Sequence, residues 1–322
     1  HTPDFSAPLG NVAGERATRF RKLRERLVDF GRAQGLDHCM TFSFEAERFG
    51  SLAIANPLNS EMGYLRRTLL PSLCRVAQLR LDRSETRRIA VYEMDKAFAK
   101  NGEAPAEHWS LAALFGGTIE EKRYDGRGED LATLDHVTGL LRALAGALRL
   151  SLAIEPLAGE HELFTDCARV RLGGVEVGAC GALRFDEIVG ERSAASSQVK
   201  NFFGCEIDLY AVFRAIESAA APVKFRSLPR FPAASRDLAF AVAKELPVSE
   251  IEKSARAAAP AFLEQIAIFD IFALKDKKSK SVAIRLTFRA ADRTLTEEEI
   301  TGAMNRVAEA VSTHCGATLR SH

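Results

Sequence analysis

Residues 281–289 read SVAIRLTFR, and apolar and polar side chains alternate along almost the whole stretch. A period of two is typical of a β-strand with one buried face. The predicted inward set is Val282, Ile284, Leu286 and Phe288. Arg285 and Arg289 belong to the opposite set, so this strand is expected in a sheet that is covered on one face only.

The segments on either side of this strand complete a recognisable unit. Further strands are predicted at RDLAFAVA (236–243), FLEQIAIFDIF (262–272) and ATLR (317–320), with a basic turn at KDKKSK (275–280). The resulting order, β-α-β-β-α-β, is the split βαβ arrangement of a ferredoxin-like fold.

Two capping boxes place the helices of this unit. Ser249 and Glu252 form an S-x-x-E pattern that predicts a helix ending before Pro260. Thr296 and Glu299 form a second such pattern, which predicts a helix running to about Cys315.

Upstream, short strand signals mix with amphipathic helices, which predicts a largely antiparallel sheet with helices packed on it and an α+β fold class. Three prolines within eleven residues then indicate a linker. We therefore predict a linker or the tail of an upstream domain at 1–14, a first domain at 15–214, a linker at 215–229 and a second domain at 230–322.

The composition of the chain limits which classes of function it can have. The 322 residues carry a formal net charge of +1, so any nucleic-acid contact must come from a local patch rather than from bulk charge. The six cysteines form no C-x-x-C pair and the seven histidines no H-E-x-x-H motif, so no metal site is predicted. No apolar run is long enough to span a membrane, and the thiols are read as reduced and cytosolic.

The second domain offers an open sheet face on which function could reside. The strand predicted at 236–243 contributes two small residues to this face, Ala239 and Ala241. In the strand predicted at 262–272, Asp270 and Phe272 share one face. Arginines, small residues and an exposed ring could hold single-stranded RNA by stacking and hydrogen bonding. A merely solvated face, or a regulatory module that binds an amino acid, is equally compatible with the pattern.

Two motifs in the right order resemble one known family. RFPAASRDLAFAV, EQIAIFDIF and KSVAIRLTFRAADRTLTEEEI resemble the ferredoxin-fold anticodon-binding domain of bacterial phenylalanyl-tRNA synthetase β subunits. Upstream, MTFSFE and NPLNSEMGYLRRTLLPSL resemble the catalytic-like domain of the same subunits, which has the class II synthetase fold. Together the two matches cover nearly the whole chain.

The resemblance implies a cytoplasmic enzyme, a tetramer of composition (αβ)2 that charges phenylalanine tRNA using ATP and magnesium. The α subunit would carry the active site and bind these cofactors. The β chain would dock the α subunit and hold the anticodon arm, with no catalytic residue of its own. The family's upstream editing and tRNA-binding modules would lie outside this sequence.

The residues support a noncatalytic interpretation independently. A class II site needs an arginine two positions before its motif-2 glutamate, to hold the α-phosphate of ATP. Here the candidate glutamate is Glu93 and the position two before it is Val91. Separately, the chain departs from the pattern of these β subunits at 163–169 and 184–185, in loops that the resemblance places towards the α subunit.

The resemblance assigns anticodon contacts to Asp270 and Phe272, the latter by stacking on a base. Arg285 and Arg289 are added from the alternation, as candidates for phosphate or base contacts. Arg236 has two interpretations, a structural ion pair or an RNA contact.

One apolar stripe lies on a basic helix predicted at 15–34. Its members are Phe20, Leu23, Leu27 and Phe30. The spacing of three and four allows the stripe to be part of the chain's own core. The resemblance instead places this helix where class II enzymes form a subunit interface, so the stripe is also a candidate contact with the α subunit.

Overall fold

The computed structural model of the chain describes residues 14–83, 87–101, 104–120, 130–190, 192–193, 196–219, 228–274 and 278–320. The chain divides into two compact units, His1–Pro222 and Val223–His322. Within the described ranges, no helix has both the length and the apolar character required to cross a membrane.

The first unit is built on a large sheet with helices on both faces. Its helices are α1 (Glu15–Ala33), α2 (Leu70–Arg83), α3 (Leu134–Leu148), α4 (Phe185–Val189) and α5 (Leu209–Ser218). Its strands are β1 (Asp37–His38), β2 (Phe44–Glu45), β3 (Gly50–Ala53), β4 (Tyr64–Arg66), β5 (Arg88–Asn101), β6 (Ala104–Glu120), β7 (Asp130–Leu131), β8 (Leu152–Pro156), β9 (Phe164–Leu172), β10 (Val175–Leu183) and β11 (Phe202–Asp208).

The main sheet has the order β1-β5-β6-β11-β10-β9-β8, with β7 beside β6, while β2, β4 and β3 form a small sheet. β1 and β5 run parallel and the other pairs of the main sheet are antiparallel. The predicted largely antiparallel, mixed α+β arrangement is therefore confirmed.

Two hydrophobic cores lie on opposite faces of this sheet. Tyr92 belongs to the core that contains side chains of α1, α3 and α5, and Val91 to the core that contains side chains of α2 and α4. Neighbouring residues of a strand point to opposite faces, so β5 separates the two cores.

The second unit has the predicted β-α-β-β-α-β order. Its elements are β12 (Ala234–Ala243), α6 (Val248–Ala258), β13 (Leu263–Ala273), β14 (Ser279–Phe288), α7 (Glu297–Cys315) and β15 (Thr318–Leu319). The sheet order is β13-β14-β12-β15, and every neighbouring pair is antiparallel. One core joins this sheet to both helices, for example through Phe240 of β12, Ile251 of α6 and Val307 of α7.

One of the two predicted capping boxes is present. Thr296 accepts a hydrogen bond from the Glu299 backbone at 3.3 Å, and the Glu299 side chain accepts one from the Thr296 backbone at 2.9 Å. The prediction at Ser249 is wrong, because the N-cap of α6 is Pro247, two residues before Ser249, and the helix begins at Val248. Glu252 bonds instead to Arg256, one turn along the same helix.

The boundary between the units differs in detail from the predicted linker at 215–229. Helix α5 continues to Ser218, because Ala215 is fully buried in the core of the first unit. Residues 220–227 lie outside the described residues, as do residues 1–13 and part of the predicted basic turn, 275–277.

Candidate nucleic-acid interface

Strand β14 separates a packed face from an open one. The four residues predicted to point inward are fully buried against the helices, as expected (Val282, Ile284, Leu286 and Phe288). Arg285 is exposed on the opposite face, and both helices of the core lie on the other side. The open sheet face predicted from the alternation is therefore present.

Strand β13 forms one edge of this sheet and contains a β-bulge. Ile268 pairs with Ile284 and Asp270 with Ala283, which leaves Phe269 as an extra residue. Beyond the bulge, Phe272 pairs with Ser281. Because paired residues share a face, Asp270 and Phe272 both lie on the open side.

Phe269 is a residue of the open face that the alternation does not reveal. The guanidinium carbon of Arg285 lies 5.0 Å from the centre of its ring, and the side chain is 51 % exposed. Strict alternation would assign Phe269 to the packed face together with Ile271. A bulge adds one residue to a strand and so changes which side chains share a face.

Phe272 lies beside an arginine that comes from the opposite edge of the sheet. Arg320 follows β15, and its backbone N–H donates to the Ala239 carbonyl at 2.8 Å. Its guanidinium donates to the Ser281 hydroxyl at 2.9 Å and lies 5.4 Å from the centre of the Phe272 ring. The small side chain of Ala239 leaves room on β12 for this crossing.

Both arginines predicted to contact RNA have carboxylate partners in the free chain. Arg285 donates two hydrogen bonds to Asp237, at 2.8 and 2.7 Å, and this pairing raises the pKa of Arg285 further. Arg289 donates to Glu264 at 2.9 Å. An RNA phosphate would therefore have to share or replace a carboxylate at either position.

Arg236 has a structural partner on the other side of the sheet. It donates to both carboxylate oxygens of Glu297, in the first turn of α7, at 2.7 and 2.6 Å. Arg236 and Asp237 therefore form their ion pairs on opposite faces of β12. The structure favours the ion-pair interpretation of Arg236.

The apolar stripe of α1 packs mainly on the chain's own core. Leu23 and Leu27 are 5 % and 2 % exposed, which corrects their use as subunit contacts, since neither side chain is available to a partner. Phe20 and Phe30 are partly buried at the edge of the same core. Phe20 stacks on Tyr210 of α5, with ring centres 4.7 Å apart.

Val91 and Glu93, the two positions compared above with an ATP-binding motif, are both buried and packed within the first unit. Val91 is fully buried in a core. Glu93, also buried, accepts hydrogen bonds from Thr41 and, at 3.0 Å, from the buried guanidinium of Arg66. Arg66 donates further to Asp95 at 2.7 Å. Arg66 and Glu93 are buried and hydrogen-bonded to each other, so they do not fit a nucleotide.

Arg66 belongs to the segment LRRTLLPSL (65–73). A second buried carboxylate, that of Glu206, holds this segment in place. Glu206 of β11 accepts hydrogen bonds from the backbone N–H groups of Leu69 and Leu70 and from the Thr68 hydroxyl, at the start of α2. Such groups at a helix N-terminus have no partner within the helix. The motif thus positions α2 on the sheet.

Both units of the chain match families of known proteins. A family model described as the phenylalanyl tRNA synthetase beta chain CLM domain matches residues 6–189, and one described as the ferredoxin-fold anticodon binding domain matches residues 229–320.

Curated relatives align with nearly the whole chain. The phenylalanine–tRNA ligase beta subunit of Shouchella clausii is 28 % identical over 332 residues, which cover 98 % of this chain and 40 % of the relative. That of Bacillus cereus is 29 % identical over 317 residues, 94 % of this chain and 38 % of the relative. The chain thus spans about two fifths of the length of these relatives.

Among solved structures, cytoplasmic serine-tRNA ligase from Naegleria fowleri aligns with a TM-score of 0.46 and 13 % identity, covering 63 % of this chain and 54 % of that one. The family is shown by the domain model, which matches more than half of the residues. This chain belongs to the phenylalanyl-tRNA synthetase β chain family, with a C-terminal unit of the ferredoxin-fold anticodon-binding type.

Proposed function

We propose that this chain is the noncatalytic part of a phenylalanine–tRNA ligase β subunit, which holds the anticodon arm of phenylalanine tRNA and docks a catalytic α subunit. The observation that carries the proposal is the open sheet face of a unit matching the anticodon-binding family, on which accessible rings lie beside arginines.

The open face has the chemistry that unpaired RNA requires. The Phe272 ring is 45 % exposed and can stack on a base, an interaction worth about 1–3 kcal/mol. Asp270, beside it on the same face, can accept hydrogen bonds from the edge of a base. Phenylalanine has no hydroxyl group, so at position 272 stacking is expected without an added hydrogen bond.

The complete enzyme would use ATP and magnesium in the α subunit, because Val91 and the paired Glu93 are unsuited to bind a nucleotide here. Charging of tRNA would then proceed in the cytoplasm, by a tetramer of composition (αβ)2. In this scheme the β chain positions the tRNA, and the α subunit carries out the reaction.

Two measurements test the proposal. The full chain should bind an RNA hairpin with the phenylalanine tRNA anticodon loop more tightly than the same stem with a scrambled loop. It should also co-purify with the α subunit at a native mass that fits a complex. A thermal shift with free amino acids, in a chain that binds no hairpin, would favour a regulatory amino-acid-binding domain instead.

A further inference from the structure

The β-bulge in β13 gives the open face a second exposed aromatic ring. Phe269 and Phe272 lie three positions apart on one strand, which places their attachment points roughly 10 Å apart. Both are about half exposed, at 51 % and 45 %. At this separation each ring can take a base of its own.

Each ring has its own arginine. Arg285 lies 5.0 Å from the centre of Phe269, and Arg320 lies 5.4 Å from the centre of Phe272. Each guanidinium is also held by a hydrogen bond, from Arg285 to Asp237 and from Arg320 to Ser281. The arginines thereby restrict the positions of both rings before any ligand binds.

We infer that Phe269 is a second stacking platform, which takes a different unpaired RNA base from the one on Phe272. The inference rests on the proposed function and assigns a further residue to the same site. On other four-stranded sheets that bind single-stranded RNA, separate aromatic side chains stack on two or three bases. Cation–π contact with Arg285 adds support to the ring of Phe269.

Ile271 provides a matched control on the same strand. It is as exposed as Phe269, at 51 %, but it pairs with Val282 and so lies on the helix side of the sheet. Truncating either side chain removes a comparable exposed apolar group, and only one of the two faces the proposed RNA.

The test uses the full chain and the anticodon hairpin, with 2-aminopurine at each loop position in turn. Phe269→Ala should weaken binding about 5- to 150-fold, the range expected for one stacked base. It should also relieve quenching of 2-aminopurine at a loop position other than the one affected by Phe272→Ala. Phe269→Leu should behave like the alanine variant and Phe269→Tyr like the wild type, with unchanged thermal melting.

The outcomes separate the two proposals. If the wild-type chain fails to bind the hairpin, the proposed function and this inference both fall. If the wild type binds and Phe272→Ala weakens binding, but Phe269→Ala behaves like Ile271→Ala, only the second platform is overturned. Loss of quenching at the same base in both phenylalanine variants would likewise contradict separate platforms.

Discussion

Arg320 reaches across strand β12 to place its guanidinium carbon 5.4 Å from the centre of the Phe272 ring. Phe272 lies in the edge strand β13, and Arg320 directly follows β15 at the opposite edge of the sheet. Ser281 of β14 holds the guanidinium between them. The candidate base-stacking ring is therefore positioned by the arginine that follows β15.

Replacing Arg320 should loosen the site without unfolding the unit. Arg320→Ala removes the cation–π contact and the Ser281 hydrogen bond, so we expect hairpin affinity to fall several-fold and the melting temperature to change little. Arg306→Ala is the control, because it removes the same charge from the exposed surface of α7, away from the open face. Equal losses in both variants would mean that only general charge matters.

Among the charged residues of the first unit, the buried Arg66 should be the one whose replacement lowers stability most. Arg66→Met leaves the buried carboxylate of Glu93 without its cation, and breaking a buried ion pair costs about 3–5 kcal/mol. Arg67→Ala is the neighbouring control, since its pair with Glu162 is exposed and should contribute at most about 1 kcal/mol.

Urea unfolding followed by the fluorescence of Trp109 measures both variants. Trp109 is the chain's one tryptophan and lies in β6, so its signal reports on the first unit. Similar free energies of unfolding for Arg66→Met and Arg67→Ala would contradict a structural role for the buried network.

Glu206 should make the first unit less stable as pH rises. Burial raises the pKa of this carboxyl above its ordinary value of 4.5, and this effect outweighs the hydrogen bonds from Thr68, Leu69 and Leu70. The folded state therefore binds the proton more tightly than the unfolded state, and the stabilisation is lost as pH rises from about 4.5 through the raised pKa.

Glu206→Gln removes the titrating carboxyl, so comparison with the wild type isolates its contribution to the pH dependence of stability. As pH rises above about 4.5, the free energy of unfolding should fall further in the wild type than in the glutamine variant, as measured by Trp109 fluorescence in urea. Parallel pH profiles would show that the Glu206 carboxyl titrates normally in the folded chain.

The N-terminus of α7 offers a test of capping in the second unit. Thr296→Ala removes an acceptor for the Glu299 backbone and should cost about 1 kcal/mol. Ser249→Ala is a sharp control, because Ser249 lies inside α6 and caps nothing. Faster hydrogen exchange in the first turn of α7 should accompany the threonine variant alone; the same change after Ser249→Ala would contradict the assignment.

Local sequence patterns predicted the second unit well where each residue acts on near neighbours. The alternation in β14 identified its buried face, and the T-x-x-E pattern marked the start of α7. The similar pattern at Ser249 failed because Pro247 precedes it and the helix begins at Val248. A capping box specifies a helix start only when the backbone enters the helix at that residue.

Features that depend on tertiary contacts were not predictable. The bulge at Phe269 has no signature in one sequence, and Arg320 reaches Ser281 only because the fold brings β15 beside β12. The stripe of α1 was correctly identified as apolar. Spacing alone cannot say whether Leu23 and Leu27 pack on the same chain or on another.

The most direct test of the central claim is the kinetics of Phe272→Ala in the reconstituted ligase with its α subunit. The account predicts that the KM for tRNA rises about 5- to 150-fold, because one stacked base is lost, while ATP–pyrophosphate exchange stays nearly unchanged. An equal loss in both reactions would contradict a role for this chain in holding the anticodon arm.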